Sequence, residues 1–350
     1  MFFLMRHLLI STTAGLVLLA ACQSESPAAS PASVGQRTDA TGSLGLVGDA
    51  ADVSRTTAGG TMLMGGGTDV DAAFQWMISK SGGGDFLILR ATGSGAYNAY
   101  VYGLGGVNSC ETLLINSRTP ANDPQVEAKI RGAEAVFIAG GNQANYVNFW
   151  KDTKVEDALN YVRNTKLCPV GGTSAGNAIA GSCYYSALNE TITSSAALAN
   201  PYDSNVTIGA NDFLNLPYLA NTITDTHFNN PDRRGRLVAF LARMSKDAGI
   251  VPRGIGVDEL TAVCIDANGL GKVFGTGTAF FLQQNGSSNF PERCVSGSPL
   301  DWYRSQRAVT VYKAPGTATG TNTFNLSTWT GTGGSSQYYY VNRGSLSISY

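Results

Sequence analysis

From Thr61 onward, short runs of consecutive apolar residues alternate with stretches whose apolar positions recur at helical spacing. Thr61–Met64 is followed by Gly65-Gly66-Gly67, then by helical spacing over Val70–Lys80 and an apolar run over Asp85–Arg90. The pattern goes on with a strand over Thr112–Asn116, a helix over Pro124–Arg131, and a strand over Ala135–Ala139 that ends in Gly140-Gly141. A helix over Val155–Asn164 and a short strand over Leu167–Val170 complete the alternation. Runs this short and this uniformly apolar read as strands buried on both faces. Their alternation with helices predicts an α/β fold with a parallel sheet covered on both sides. Ligands in such sheets bind at the carboxyl ends of the strands. Three of those ends carry glycine, at Gly65–Gly67, Gly140–Gly141 and Gly171–Gly176, where a backbone without Cβ atoms lets a ligand come close. Near the end the pattern changes. Ala308–Lys313 and Tyr338–Ile348 cluster β-branched and aromatic residues around a Gly/Thr/Ser stretch, which predicts antiparallel strands appended to the domain.

The beginning of the chain is of another kind. Arg6 precedes an apolar run from Leu8 to Leu19 that is too short to span a bilayer comfortably and ends in Leu19-Ala20-Ala21-Cys22. It reads as an export signal. The Leu-Ala-Ala-Cys ending resembles the lipobox of bacterial lipoproteins, which implies acylation of Cys22 and a lipid anchor in the outer membrane. Residues 23–58 are rich in Ser, Ala, Pro, Gly and Thr with few large apolar groups, so they predict a disordered tether. The expected division is therefore 1–22 signal, 23–58 tether, 59–300 functional domain and 301–350 β-rich extension.

A formal charge of −1 with 14% charged residues argues against a nucleic-acid partner and leaves room for a homodimer. Beyond Cys22, five cysteines remain, none in a C-x-x-C pair, and a Cys264–Cys294 bridge is expected. With so few histidines, a zinc site built on them is not expected, and neither is an organic cofactor.

Gly172-Thr173-Ser174-Ala175-Gly176 is a G-x-S-x-G sequence placed after a predicted strand. That pattern puts a serine on a sharp strand-to-helix turn with its hydroxyl pushed outward and the amide of Ala175 free to hold an oxyanion. The chain has two histidines, His7 in the leader and His227, so any imidazole base for Ser174 is His227. A third group must orient that base. If the acid lies between serine and histidine, Glu190, Asp203, Asp212 and Asp225 are candidates. If it follows the histidine, Gly254–Ile265 offers Asp258 and Glu259 at the middle of an apolar strand, where neighbouring side chains point to opposite faces and only one can meet the histidine.

Four blocks, in this order, resemble the cyanophycinase and aspartyl dipeptidase family of serine peptidases. They are Ala139-Gly-Gly-Asn-Gln143, Gly172-Thr-Ser-Ala-Gly176, Asp225-Thr-His-Phe228 with Gly235-Arg236-Leu237, and Gly254-Ile-Gly-Val-Asp-Glu259 with Thr261-Ala262. The resemblance implies a three-layer α/β/α sandwich with a mostly parallel sheet, like class I glutamine amidotransferases, and a triad of Ser174, His227 and Glu259. It also implies Gln143, Asp225 and Arg236 in or beside a substrate pocket, and a peptide substrate with β-aspartyl-arginine linkages first. The oxyanion amides would be those of Ala175 and of Gly141 or Asn142, with the Gly65–Gly67 turn as the alternative. Asn177 and Thr226 stand where that family usually has Ala and Gln. An esterase using Asp203 or Asp212, and a non-catalytic binding module, are the rival readings.

Overall fold

In a computed structural model, residues 42–350 are described. The expected leader, Cys22 and residues 23–41 of the tether lie outside the described residues. In chain order the elements begin β1 (Ser43–Gly48), β2 (Gly60–Met64), α1 (Asp71–Lys80), β3 (Asp85–Arg90), α2 (Ala96–Gly103), β4 (Ser109–Leu114), α3 (Arg118–Ala121), α4 (Pro124–Gly132) and β5 (Ala135–Ile138). There follow α5 (Gln143–Trp150), α6 (Lys154–Asn164), β6 (Pro169–Thr173), α7 (Ala175–Ala178), β7 (Cys183–Tyr185), α8 (Ser194–Ala199), β8 (Ile208–Ala210), β9 (Thr222–Asp225) and α9 (Arg234–Ala248). The remainder is strand apart from one 3-10 turn: β10 (Arg253–Val257), β11 (Thr261–Asp266), β12 (Leu270–Gly275), β13 (Thr278–Gln284), β14 (Val309–Pro315), β15 (Thr323–Asn325), β16 (Thr330–Thr332), β17 (Ser335–Asn342) and β18 (Ser345–Ser349).

Among the described residues these strands form two sheets. The first has the order β1-β4-β3-β5-β6-β2-β11-β12-β15-β16, and its stretch from β4 to β2 is parallel throughout. The second has the order β18-β17-β14-β13-β10-β9-β7-β8, with β7, β9 and β10 running parallel.

Alternation along the parallel strands explains the layers. Met62, Met64, Phe86, Ile88 and Phe137 point to one face, where they meet Phe74, Met77 and Ile78 of α1 and Val101 of α2. Leu63, Leu87, Leu89, Val136 and Ile138 point to the other, onto Val126 and Ile130 of α4, Trp150 of α5 and Leu159 of α6. This is helix, sheet and helix in three layers. The same second core takes in Ile255 and Val257 of β10 and Phe281 of β13, so the second sheet docks there, while α9 covers its opposite face with Leu237, Phe240 and Leu241. Each large apolar side chain withdrawn from water in this way contributes on the order of 2 kcal/mol. Local chemistry sets the helix ends: Asp123 accepts from Gln125 N (2.8 Å) with Pro124 in the first turn of α4, and α9 stops at Gly249, whose φ is +64.

Three expectations need correction. Ser43–Gly48, read as tether, is an edge strand antiparallel to β4, with Leu44 buried; the glycines and serines hid a strand that is held by pairing more than by its own apolar surface. The strand expected to stop at Val170 runs on through Gly171 and Gly172 to Thr173, because both neighbours, β2 and β5, continue to pair with it. The C-terminal strands are antiparallel, as expected, and extend both sheets: β14 pairs with β13 over its whole length, and β15 joins β12 in the first sheet. Cys264 and Cys294 form no bridge; all five described cysteines are free and buried, these two in separate cores.

Candidate active site

The serine turn is built by the end of β6. Ser174 N donates to Met64 O (3.2 Å), continuing the β2–β6 ladder by one residue, and the chain then turns through φ +50, ψ −116 at Ser174 into α7. A non-glycine residue with this backbone is held there against its own preference. The tightness of the turn demands glycine: a Cβ on Gly176 would lie 2.2 Å from Ile138 O. Asn177 anchors the turn from below, donating to Met64 O (3.1 Å) while its carbonyl accepts from Thr224 (2.6 Å) on β9.

Of the partners of Ser174, His227 comes from the other sheet and Glu259 from a turn that joins the two. His227 follows β9 in a left-handed conformation (φ +46), and its N–H donates to Gly65 O (2.7 Å) at the end of β2. Glu259 lies in the turn between β10 and β11, not in the middle of a strand as its apolar surroundings suggested; those two strands belong to different sheets, and Leu260 N donates to Gly66 O (3.0 Å), continuing the β2–β11 pairing. Ser174 Oγ is 2.7 Å from His227 Nε2, and His227 Nδ1 is 2.7 Å from Glu259 Oε1. The second carboxylate oxygen of Glu259 accepts from Asn230 Nδ2 (3.3 Å). Gly66 and Gly67 back this pair, since Cβ atoms there would meet the His227 ring and the Glu259 side chain.

Electrostatics favour a neutral imidazole. Burial pushes the His227 pKa below its ordinary value and the Arg233 charge adds to that, against the opposing pull of Glu259. For Glu259, burial alone would raise the carboxyl, but hydrogen bonds from His227 and Asn230 with the nearby positive charges outweigh it and hold it below the usual carboxylate range. A neutral His227 between a hydroxyl and a carboxylate can take the serine proton at Nε2 while its Nδ1–H donates to Glu259.

The other residues singled out from sequence fall in two groups. Gly140 borders the nucleophile, for a Cβ on it would be 3.5 Å from Ser174 Cβ and 4.0 Å from its Oγ. Gly141 (φ +156) and Asn142 follow, and Asn142, rather than Gln143, caps α5 by accepting from Ala144 N (2.9 Å); Gln143 opens that helix and is half-buried. Asp225 and Arg236 are engaged with each other. Arg236 grips both oxygens of Asp225 (2.8 and 2.5 Å), and their side chains are 4% and 3% exposed. The pair ties the end of β9 to α9 and thereby fixes the loop that carries His227. Arg233 joins it by donating to Thr226 O (2.9 Å). Sequence reading missed Arg233 and Asn230, whose only signal was the polar run Asn229–Arg236. The rival acids are engaged elsewhere: Asp212 accepts from Tyr184 (3.0 Å) and pairs with Lys151 (3.2 Å), and Asp203 accepts from Asn205 N (2.9 Å).

A serine on a strand-end elbow with a histidine and a glutamate in hydrogen-bonded file defines an α/β domain of the nucleophilic-serine class. The model of peptidase family S51 matches residues 68–272, more than half of the chain and inclusive of Ser174, His227 and Glu259, and the chain belongs to that family. Curated relatives include a cyanophycinase of Nostoc sp., 29% identical over 174 residues that make up 49% of this chain and 53% of the relative. Another is a cyanophycinase of Synechococcus elongatus, 27% identical over 173 residues, 49% of each. The chain thus spans about half the length of the curated relatives it matches. Among solved structures, a peptidase from an acI-B1 Actinobacterium superposes with a TM-score of 0.47 at 16% identity, covering 70% of this chain and 93% of the other.

Proposed function

We propose that this protein is an exported serine peptidase that hydrolyses aspartyl-containing peptides, with β-aspartyl-arginine linkages of the cyanophycin type first among them. Ser174 Oγ attacks the amide carbonyl as His227 Nε2 takes its proton, Glu259 steadies the imidazolium, and the proton then passes to the leaving amine. The Ala175 amide, in the first turn of α7 where amides have no intrahelical partner, faces the developing oxyanion. The neighbourhood of Gly140 to Ser174 favours a second amide from the Gly140–Asn142 loop, since the Gly65–Gly67 turn backs His227 and Glu259 instead. The observation that carries this reading is the unbroken file of two 2.7 Å contacts from Ser174 through His227 to Glu259. The cyanophycinase relatives support the substrate class. Acylation of Cys22 would hold the enzyme at the outer membrane, where it acts on external peptide, as a monomer or a homodimer.

The test uses cyanophycin and α- and β-aspartyl dipeptides, with products read by mass spectrometry, on wild type and Ser174→Ala. Wild type is expected to release dipeptide or amino acid and to be labelled by a fluorophosphonate probe. Ser174→Ala should do neither while melting at the wild-type temperature. Turnover retained in the alanine variant would refute the assignment.

A further inference from the structure

Away from the triad, a cavity of 270 Å³ opens between the two sheets among their C-terminal strands. One wall is a face of the second sheet. Strand register sets Phe281 of β13, Tyr312 of β14 and Ser336 of β17 side by side, and Thr310, two residues from Tyr312, shares their face. The other wall is the β15–β16 hairpin of the first sheet, which brings Phe324, Trp329 and Gly331. Arg253, which lies over the Trp329 ring, starts β10, whereas Glu259 follows the end of that strand. About 13 Å of strand therefore separates this place from the turn that carries the catalytic acid.

The walls offer rings and hydroxyls. Phe281 and Phe324, stacked at 3.8 Å between centroids and 1% exposed each, close the floor. Tyr312 and Trp329 are half-buried, so their rings meet whatever enters. Both are held in place. A Cβ on Gly331 would lie 2.1 Å from Tyr312 Cε1, and the Tyr312 hydroxyl accepts from Gly334 N (2.7 Å), which leaves its own proton free to donate. Trp329 stands at 86° and 89° to the two phenylalanines on a left-handed backbone (φ +56), a conformation that a bulky residue adopts only under constraint and that points to function. Thr310 is half-buried and Ser336 exposed, and neither hydroxyl is paired within the described residues.

This combination selects a ligand. Aromatic faces carry negative charge density and receive C–H groups, whose hydrogens are slightly positive. Hydroxyls that both donate and accept match hydroxyls that do the same. A flat hydrocarbon ring would leave those groups unanswered, and a cation would be repelled by the Arg253 guanidinium, 4.4 Å from the Trp329 centroid. Since about 150 Å³ admits benzene, this cavity admits a six-membered ring with its substituents.

We propose that the cavity binds one neutral sugar ring, its C–H face against Tyr312 and Trp329 and its hydroxyls toward Thr310, Ser336 and the Tyr312 hydroxyl. This goes beyond the peptidase reading and does not depend on it. A free saccharide and a unit of a polysaccharide present the same ring.

Saturation-transfer NMR on the full chain tests the site with the methyl glycosides of glucose, galactose, mannose and N-acetylglucosamine. Tetramethylammonium and benzyl alcohol represent the competing chemistries. At least one glycoside is expected to receive saturation, most strongly at its ring C–H protons, and Trp329→Ala should weaken its binding at least about tenfold. Thr310→Val and Ser336→Ala, which keep the aromatic packing, should each weaken it about fivefold, the worth of one hydrogen bond. These two variants decide the matter if Trp329→Ala fails to melt cooperatively. Absence of transfer to all four glycosides, binding unchanged in the variants, or tighter binding of tetramethylammonium or benzyl alcohol overturns the site. The trisaccharide of the bound sugar separates the sources: tighter binding than the monosaccharide marks a polysaccharide, equal binding a free saccharide, and either upholds the ring site. Turnover of β-Asp-Arg should stay within about twofold in all three variants, because none touches the triad. A fall in turnover that parallels the fall in binding would overturn the site's independence, and a chain without peptidase activity would leave the glycoside result to stand by itself.

Discussion

Gly66 and His227 claim the same volume: a Cβ on Gly66 would sit 2.4 Å from Cε1 and 2.5 Å from Nε2 of the imidazole. The backbone at Gly66 (φ +103) is also one that residues with side chains rarely adopt. Gly66→Ala is therefore expected to displace the ring from Ser174. A misplacement of about 1 Å costs on the order of 100-fold in kcat, and the strained backbone costs about 1 kcal/mol or more of stability. Steady-state turnover and a thermal melt check both, and wild-type kcat in this variant would mean the ring does not depend on that vacancy.

Glu259→Gln is expected to lower kcat by about 10⁴, the effect of leaving a triad histidine in the wrong tautomer. Asp212→Asn should leave kcat within about twofold, because Asp212 is engaged by Tyr184 and Lys151, away from His227. The two rates measured side by side decide between the peptidase triad and the esterase alternative.

The acid limb of kcat/KM against pH should have its midpoint below the ordinary histidine value, since burial and Arg233 both disfavour the imidazolium. Removing that charge with Arg233→Met should move the limb to higher pH. The same depression has a stability consequence. The folded state binds the His227 proton less readily than the unfolded chain does, so this residue's contribution to stability falls as pH drops through about 6.5. A limb that moves to lower pH in Arg233→Met would contradict the assignment of the titrating group.

Arg236→Met leaves Asp225 as an uncompensated carboxylate in a site where its side chain is 3% exposed. Breaking a buried pair by removing one partner costs about 3–5 kcal/mol. Urea unfolding should show that loss, and adding Asp225→Asn should recover part of it. Because the pair anchors the loop of His227, kcat should fall as well. A single variant as stable as wild type would show that the pair does not hold β9 to α9.

Much of this was legible from residue order. The apolar runs at Gly60–Met64, Asp85–Arg90 and Ala135–Ile138 had to be doubly buried strands, and the serine between glycines had to be on a turn. With a single histidine outside the expected leader, elimination alone led to His227. What stayed hidden depended on partners far along the chain. The Asp258–Leu260 turn was concealed inside an apolar run, because the two strands it joins diverge into different sheets. The edge strand β1 exists through its pairing with β4. Asp225 and Arg236 look like a substrate-binding pair from family resemblance, and only the packing of α9 on β9 reveals that each is the other's counter-ion. Helix α2, a run of small and tyrosine residues between glycines, has too weak a periodicity to announce itself.

The nucleophile hangs from one sheet, its base from the other and its acid from the turn that joins them, so whatever grips Ser174 and His227 together acts as a crosspiece between two halves of the molecule. Occupancy of the cleft is thus a mechanical event for the whole body. A covalent inhibitor bonded to the serine and held by the imidazole should brace the architecture far beyond the few atoms it touches.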